Sequence, residues 1–243
     1  MTVSVTETPV FFGQADEFFG ISSSGPEAGS LGAVICLTPS MADNPVGSRL
    51  ARKLATAGVP ALRFDLAGHG HSHESRHGDA WDGTSFQAAA EWMREMAIES
   101  FVLIGGTTGA NACLTASSAM TDLRGLVFNR LSTKRPVGRV SRIVRPPRGR
   151  PATPTVISQL QDVIERGVPT LVVSGAADTD QARIRRLFGD REPPLDRTSL
   201  QMATVPSRTL KGFRSVPAQE EFVDVVVRWI SDLAGTTPSD LAL

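Results

Sequence analysis

Five apolar runs, Leu31–Leu37, Pro60–Leu66, Ser100–Gly105, Arg124–Asn129 and Pro169–Ser174, recur along the chain, and stretches with helical periodicity separate them. Leu31–Leu37, near-continuously apolar, fits a strand buried on both faces of a sheet, and the other runs read as strands beside it. Leu50, Leu54 and Ala57 repeat at helical spacing after Asn44-Pro45, a start signal, and Gly58 stops the pattern. Further helices are predicted at Trp81–Ala97, Ala110–Met120, Ile157–Arg166 and near Asp180–Phe188. A last amphipathic helix carries Phe222, Val225, Val226, Trp229, Ile230 and Leu233 on one stripe. Pro9–Gly13 and Glu17–Ser22 read as an N-terminal hairpin, and Leu200–Val205 as the final strand. Strands that alternate with helices imply an α/β fold: a mostly parallel sheet covered on both faces.

No linker or repeat divides the 243 residues, so one domain over 1–243 is expected, with a core sustained by 41% hydrophobic content. The 25 basic and 25 acidic side chains balance, which gives no general attraction to nucleic acid or to anionic membranes. Neither a secretory signal nor a run of roughly 20 apolar residues is visible, so a cytoplasmic location without a membrane span is expected. Cys36 and Cys113, the only cysteines, lie in apolar runs and read as buried reduced thiols.

The run Leu103-Ile-Gly-Gly-Thr-Thr-Gly109 leads an apolar strand into a glycine-flanked turn with the spacing of a nucleophile elbow, and Thr107 stands where such a turn normally carries serine. All four histidines, His69, His71, His73 and His77, fall within nine residues of one another, far from the C-terminus.

The segment Arg49–Ser72, with Phe-Asp-Leu-Ala-Gly-His-Gly-His-Ser at 64–72, resembles the helix, strand and loop of α/β-hydrolases of the serine-aminopeptidase and esterase kind. It is especially similar to the bacterial branch that includes exosortase-associated hydrolases. The elbow, Gly-Ala-Ala-Asp at 175–178 and the terminal helix keep the order and rough spacing of that family, so the resemblance spans nearly the whole chain. It implies the α/β-hydrolase fold, with a cap-like insertion at about 130–168. It also implies that Thr107 holds the nucleophile's place, between the small neighbours Gly105 and Gly109. The amide of Thr108 would be one oxyanion donor, and the amide of Ser40 or Met41, in the loop after the first central strand, the other. Asp178 matches the acid.

The family's histidine falls before the last helix, where this chain reads Leu210-Lys-Gly-Phe-Arg-Ser-Val216, so Arg214 occupies the expected position. Arginine accepts no proton near neutral pH, and a base is typically worth about 10²–10⁴-fold. A pairing of Arg214 with Asp178, as a structural bridge or an anion-binding element, is open. His69 and His71, in the loop after Pro60–Leu66, are candidates for pocket residues or a relocated base. Alternation at 69, 71 and 73, with Asp65, Glu74 or Asp79 nearby, could also ligate a metal. Solvated loop residues are the preferred reading, so no metal and no cofactor is assigned.

Lys134 to Arg150 holds seven basic residues and no acid, with Arg139, Arg142, Arg145 and Arg148 at intervals of three. Such a segment could read a phosphate, a carboxylate or an acidic carrier protein, although a solvated excursion is the preferred reading. Two function classes follow. One is an atypical enzyme of small-molecule metabolism acting on an acyl, ester, thioester or polyketide-like substrate, free or carrier-bound. The other is a pseudo-hydrolase that binds a ligand or protein without turnover; a homodimer is left open.

Overall fold

A computed structural model of the chain describes residues 4–73, 83–106, 108–131, 155–176, 184, 200–205 and 215–235. These contain eight strands in one sheet: β1 (Thr6–Phe12), β2 (Phe18–Ser24), β3 (Leu31–Cys36), β4 (Ala61–Phe64), β5 (Ser100–Gly106), β6 (Leu123–Asn129), β7 (Thr170–Gly175) and β8 (Leu200–Val205). Their order across the sheet is β1-β2-β4-β3-β5-β6-β7-β8. β1 and β2 form the expected hairpin, and β2 joins β4 antiparallel; every pairing from β4 to β8 is parallel. The helices are α1 (Pro45–Thr56), α2 (Thr84–Glu95), α3 (Thr108–Ser117), α4 (Val156–Glu165) and α5 (Val216–Ala234).

The central strands are mostly apolar because they face two cores. Phe101 and Leu103 of β5 join one cluster with Phe86, Ala89, Met93, Cys113, Leu114, Leu160 and Val163, which belong to α2, α3 and α4. Val102 and Ile104 of the same strand join the other, with Leu50 and Leu54 of α1 and Phe222, Val226 and Ile230 of α5. Alternation along β5 therefore carries no polar phase, which explains why periodicity alone showed only an unbroken run.

Local signals set the helix ends. Asn44 caps α1, its side chain accepting from the Val46 amide at 2.9 Å, with Pro45 in the first turn. Ser215 caps α5 in the same way, and Gly235 closes it at φ 71°.

Val156–Glu165, part of the expected cap-like stretch, is the crossover helix between β6 and β7, and Leu160, Val163 and Ile164 bury it against the sheet. The cap reading thus concerns only residues 132–154, which lie outside the described residues together with the four arginines of the basic segment. The helix expected near 180–188 also lies outside them, apart from buried Ile184.

β4 lies on one side of β3 and β5 on the other, so the path of the chain across the sheet reverses at β3. The connections leaving β3 and β5 then diverge, α1 to one face and α3 to the other. In open α/β sheets the crevice at such a switch point, outside the carboxyl ends of the strands, is where ligands bind.

Candidate active site

Two backbone segments meet at this crevice. β5 ends at Gly106 and α3 begins at Thr108, so a single residue, Thr107, connects strand to helix. Thr107 itself lies outside the described residues, as do Asp178, Arg214 and His77. What surrounds the connection is a tight fold of main chain. A Cβ on Gly105 would lie 2.6 Å from Ala110 Cα, so the strand folds straight back onto its own helix. One on Gly106 would lie 2.5 Å from the Leu37 carbonyl oxygen, and one on Gly109 would overlap the Cys36 carbonyl. Gly105 and Gly109 are the small neighbours read from the sequence. Gly106 is a third, which the motif does not reveal because its neighbour, Leu37, comes from a distant segment, the residue just after β3. With Cys36 paired to Gly105 in the sheet, the end of β3 is level with the turn.

Thr108 is the first residue of α3, and the first four amides of a helix have no acceptor inside it. The Thr108 amide thus stands at a helix N-terminus with the positive end of the helix dipole behind it.

The loop after β3 is held by its carbonyls and by one carboxylate. The Ser40 carbonyl accepts from Thr38 Oγ1 at 2.7 Å and from the Asp43 amide at 3.3 Å, and the Pro39 carbonyl accepts from the Leu66 amide at 2.9 Å. The Met41 amide donates to Asp65 Oδ1 at 2.6 Å, so of the two oxyanion candidates in this loop Met41 has its donor engaged. The Ser40 amide has no acceptor among the described residues.

Asp65, 1% exposed, also accepts the His71 amide on Oδ2 at 2.9 Å. Its carboxylate therefore binds the loop after β3 to the loop after β4. The compact turn this requires explains Gly70, which is at φ +54° and has no room for a Cβ beside the carboxylate. Sequence reading placed Asp65 as a metal-ligand option; its two oxygens are taken by main-chain amides instead.

The histidine loop is tied to the N-terminal hairpin. Ser72 Oγ donates to the Asp65 carbonyl at 2.8 Å and accepts from the Phe19 amide at 2.9 Å, and the His73 amide donates to the Glu17 carbonyl at 2.8 Å. His69 Nδ1 lies 2.9 Å from the Ala67 carbonyl, and the His71 ring stands edge-on to Phe19 with centroids 5.2 Å apart. All three described histidines are exposed, and among the described residues their side-chain contacts run to Ala67 and Phe19. Among the described residues no three His, Cys, Asp or Glu side chains group as metal ligands.

Both thiols are buried and free. Burial, with a smaller push from the Asp65 carboxylate, raises the Cys36 thiol far above the ordinary thiol range. Burial followed by the neighbouring Cys36 does the same to Cys113. Neither is a nucleophile at neutral pH.

No protein-family model matches the sequence, and none of the curated proteins matches it. Solved structures do match, over nearly the full length. An α/β serine hydrolase without lid from Xanthomonas campestris is 19% identical, with 97% of this chain and 95% of that chain covered and a TM-score of 0.57. A dienelactone hydrolase from Anabaena variabilis is 16% identical over 94% and 98%, TM-score 0.66. The esterase domain of a Rhodothermus marinus protein is 17% identical over 94% and 99%, TM-score 0.62. With the strand order and the glycine-built strand-to-helix connection, these likenesses show that the chain has the α/β-hydrolase fold.

Proposed function

We propose that the chain is an acyl-group enzyme which holds the carbonyl of a small ester or thioester, free or carrier-bound, in the crevice between the ends of β3 and β5. The observation that carries this reading is the main-chain packing there: three glycines with no room for a Cβ bring the N-terminus of α3 against a loop whose Ser40 amide has no acceptor among the described residues. Two such amides, Thr108 and Ser40, suit the negative charge that develops on an acyl oxygen, and a single oxyanion donor is worth about 10²–10³-fold in rate. In this reading Thr107 supplies the reacting hydroxyl and Asp178 the acid. Hydrolase and esterase neighbours in fold support an acyl substrate.

Arg214 in the place of the base makes this an atypical member. Without an imidazole to take the threonine proton, turnover rests on oxyanion stabilisation and positioning, and falls by about 10²–10⁴-fold against a complete triad. The same arginine favours the second reading, a binding module without turnover. Hydrolysis of p-nitrophenyl acetate and butyrate separates the two: the enzyme reading expects slow, saturable release of p-nitrophenol that Thr107→Ala abolishes. Release no faster than buffer, or unchanged in Thr107→Ala, supports the binding module.

A further inference from the structure

β6 runs apolar through Leu126, Val127 and Phe128 and then ends on Asn129. The residue is 9% exposed, and its carboxamide Oδ1 is buried without a hydrogen-bond partner among the described residues. The position is specific. In the sheet Asn129 is the partner of Gly106, the last residue before Thr107, and of Val173 on β7, the strand that leads toward Asp178. Gly106 presents no side chain beside it. Immediately afterwards Arg130, at φ 61°, turns the chain out of the strand. A buried amide oxygen left without a donor is unfavourable, and leucine would fill a similar volume at no such cost. Ser174 Oγ, also unpartnered among the described residues, belongs to a residue only 1% exposed, against 9% for Asn129, the last residue of its strand.

On the acyl-enzyme reading above, we infer that the Asn129 carboxamide is a specificity-determining contact. It accepts a hydrogen bond from a hydroxyl or amide N–H on the carbon next to the substrate carbonyl, which selects 2-hydroxyacyl or 2-acylaminoacyl groups over plain alkyl acyl groups. Polar groups lined up for a substrate hydroxyl disfavour the analogue lacking it, because they are then left unpaired.

The test uses two p-nitrophenyl esters that differ only in hydroxyl against methyl: the lactate ester, each enantiomer separately, and the isobutyrate ester. For wild type, kcat/KM for the better lactate enantiomer should exceed that for isobutyrate about tenfold, about 1.4 kcal/mol. In Asn129→Leu and in Asn129→Ala the ratio should fall to about one. Because it is a ratio, general damage to the fold does not move it, and the alanine variant covers a failure of leucine to pack. A wild-type ratio near one, or a tenfold ratio kept by a folded variant, overturns the assignment of Asn129 and leaves the acyl-enzyme reading standing. Hydrolysis of neither ester by wild type overturns both.

Discussion

Asp65→Asn probes how the crevice is held. The native carboxylate accepts one amide on each oxygen, Met41 at 2.6 Å and His71 at 2.9 Å. Asparagine keeps the shape and one acceptor but turns the other oxygen into an N–H that faces an amide N–H. Hydrogen bonds to charged groups contribute about 1.5–3 kcal/mol each, and a buried amide left unpaired costs about 1–3 kcal/mol, so a loss of about 2–3 kcal/mol is expected. Asp65→Ala removes both acceptors and should lose about 3–5 kcal/mol. For a chain of this size 1 kcal/mol corresponds to about 2–4 °C, which places the asparagine variant about 5–10 °C below wild type in thermal unfolding followed by circular dichroism. Since Met41 adjoins Ser40, ester turnover should fall by more than the melting shift explains at 25 °C, where the folded state still dominates. A melting temperature within about 1 °C of wild type would refute the view that this carboxylate ties the two loops.

Three further outcomes follow from the same geometry. Gly109→Ala drives a methyl into the Cys36 carbonyl and should cost about 1–3 kcal/mol, while Gly47→Ala on α1, with its nearest neighbour 4.0 Å away, should be neutral or gain about 0.5–1 kcal/mol; chemical denaturation of the two variants checks the contrast. Burial raises the Glu7 carboxyl, but Arg52 at 2.6 Å and Arg63 at 3.3 Å outweigh it and hold the group below its ordinary value. A lowered carboxyl gives stability that is present above the ordinary value, about 4.3, and is lost as pH falls through the folded one, so Glu7→Gln should melt below wild type at pH 7 and converge with it near pH 3. The buried thiols of Cys36 and Cys113 should resist Ellman's reagent at pH 8 until the protein is unfolded, when two equivalents react; rapid labelling of the native protein would contradict their burial.

The sheet was legible because the central strands are short, mostly apolar runs that end in a glycine or polar break, and because Asn44-Pro45 and Gly58 mark helix ends by local chemistry. The strand-to-helix connection was legible for the same reason, since Gly105, Thr107 and Gly109 are near neighbours in sequence. What the sequence hid depends on contacts between distant segments. Gly106 is required by Leu37, Asp65 is claimed by the amide of Met41, 24 residues away, and the histidine loop is drawn to the hairpin by Ser72 and Phe19. The helix at α4 was legible from its amphipathic stripe, while its place as the crossover between β6 and β7 rests on burial against α3 and the sheet, contacts between segments distant in sequence. Asn129 gave no signal at all, for an asparagine that ends a strand is ordinary until its oxygen is found buried and unpaired.

The most direct test of the acyl-enzyme account is the rate of covalent labelling by a fluorophosphonate, followed by intact mass and peptide mapping, in wild type and in the Thr107→Ser, Arg214→His double variant. If the crevice retains its oxyanion donors and its acid, wild type should label slowly on the peptide carrying Thr107, and the double variant should label there about 10²-fold faster or more as the base is restored. No gain in the folded double variant, or an adduct mapped to another peptide, would contradict the placement of the reacting group between β5 and α3.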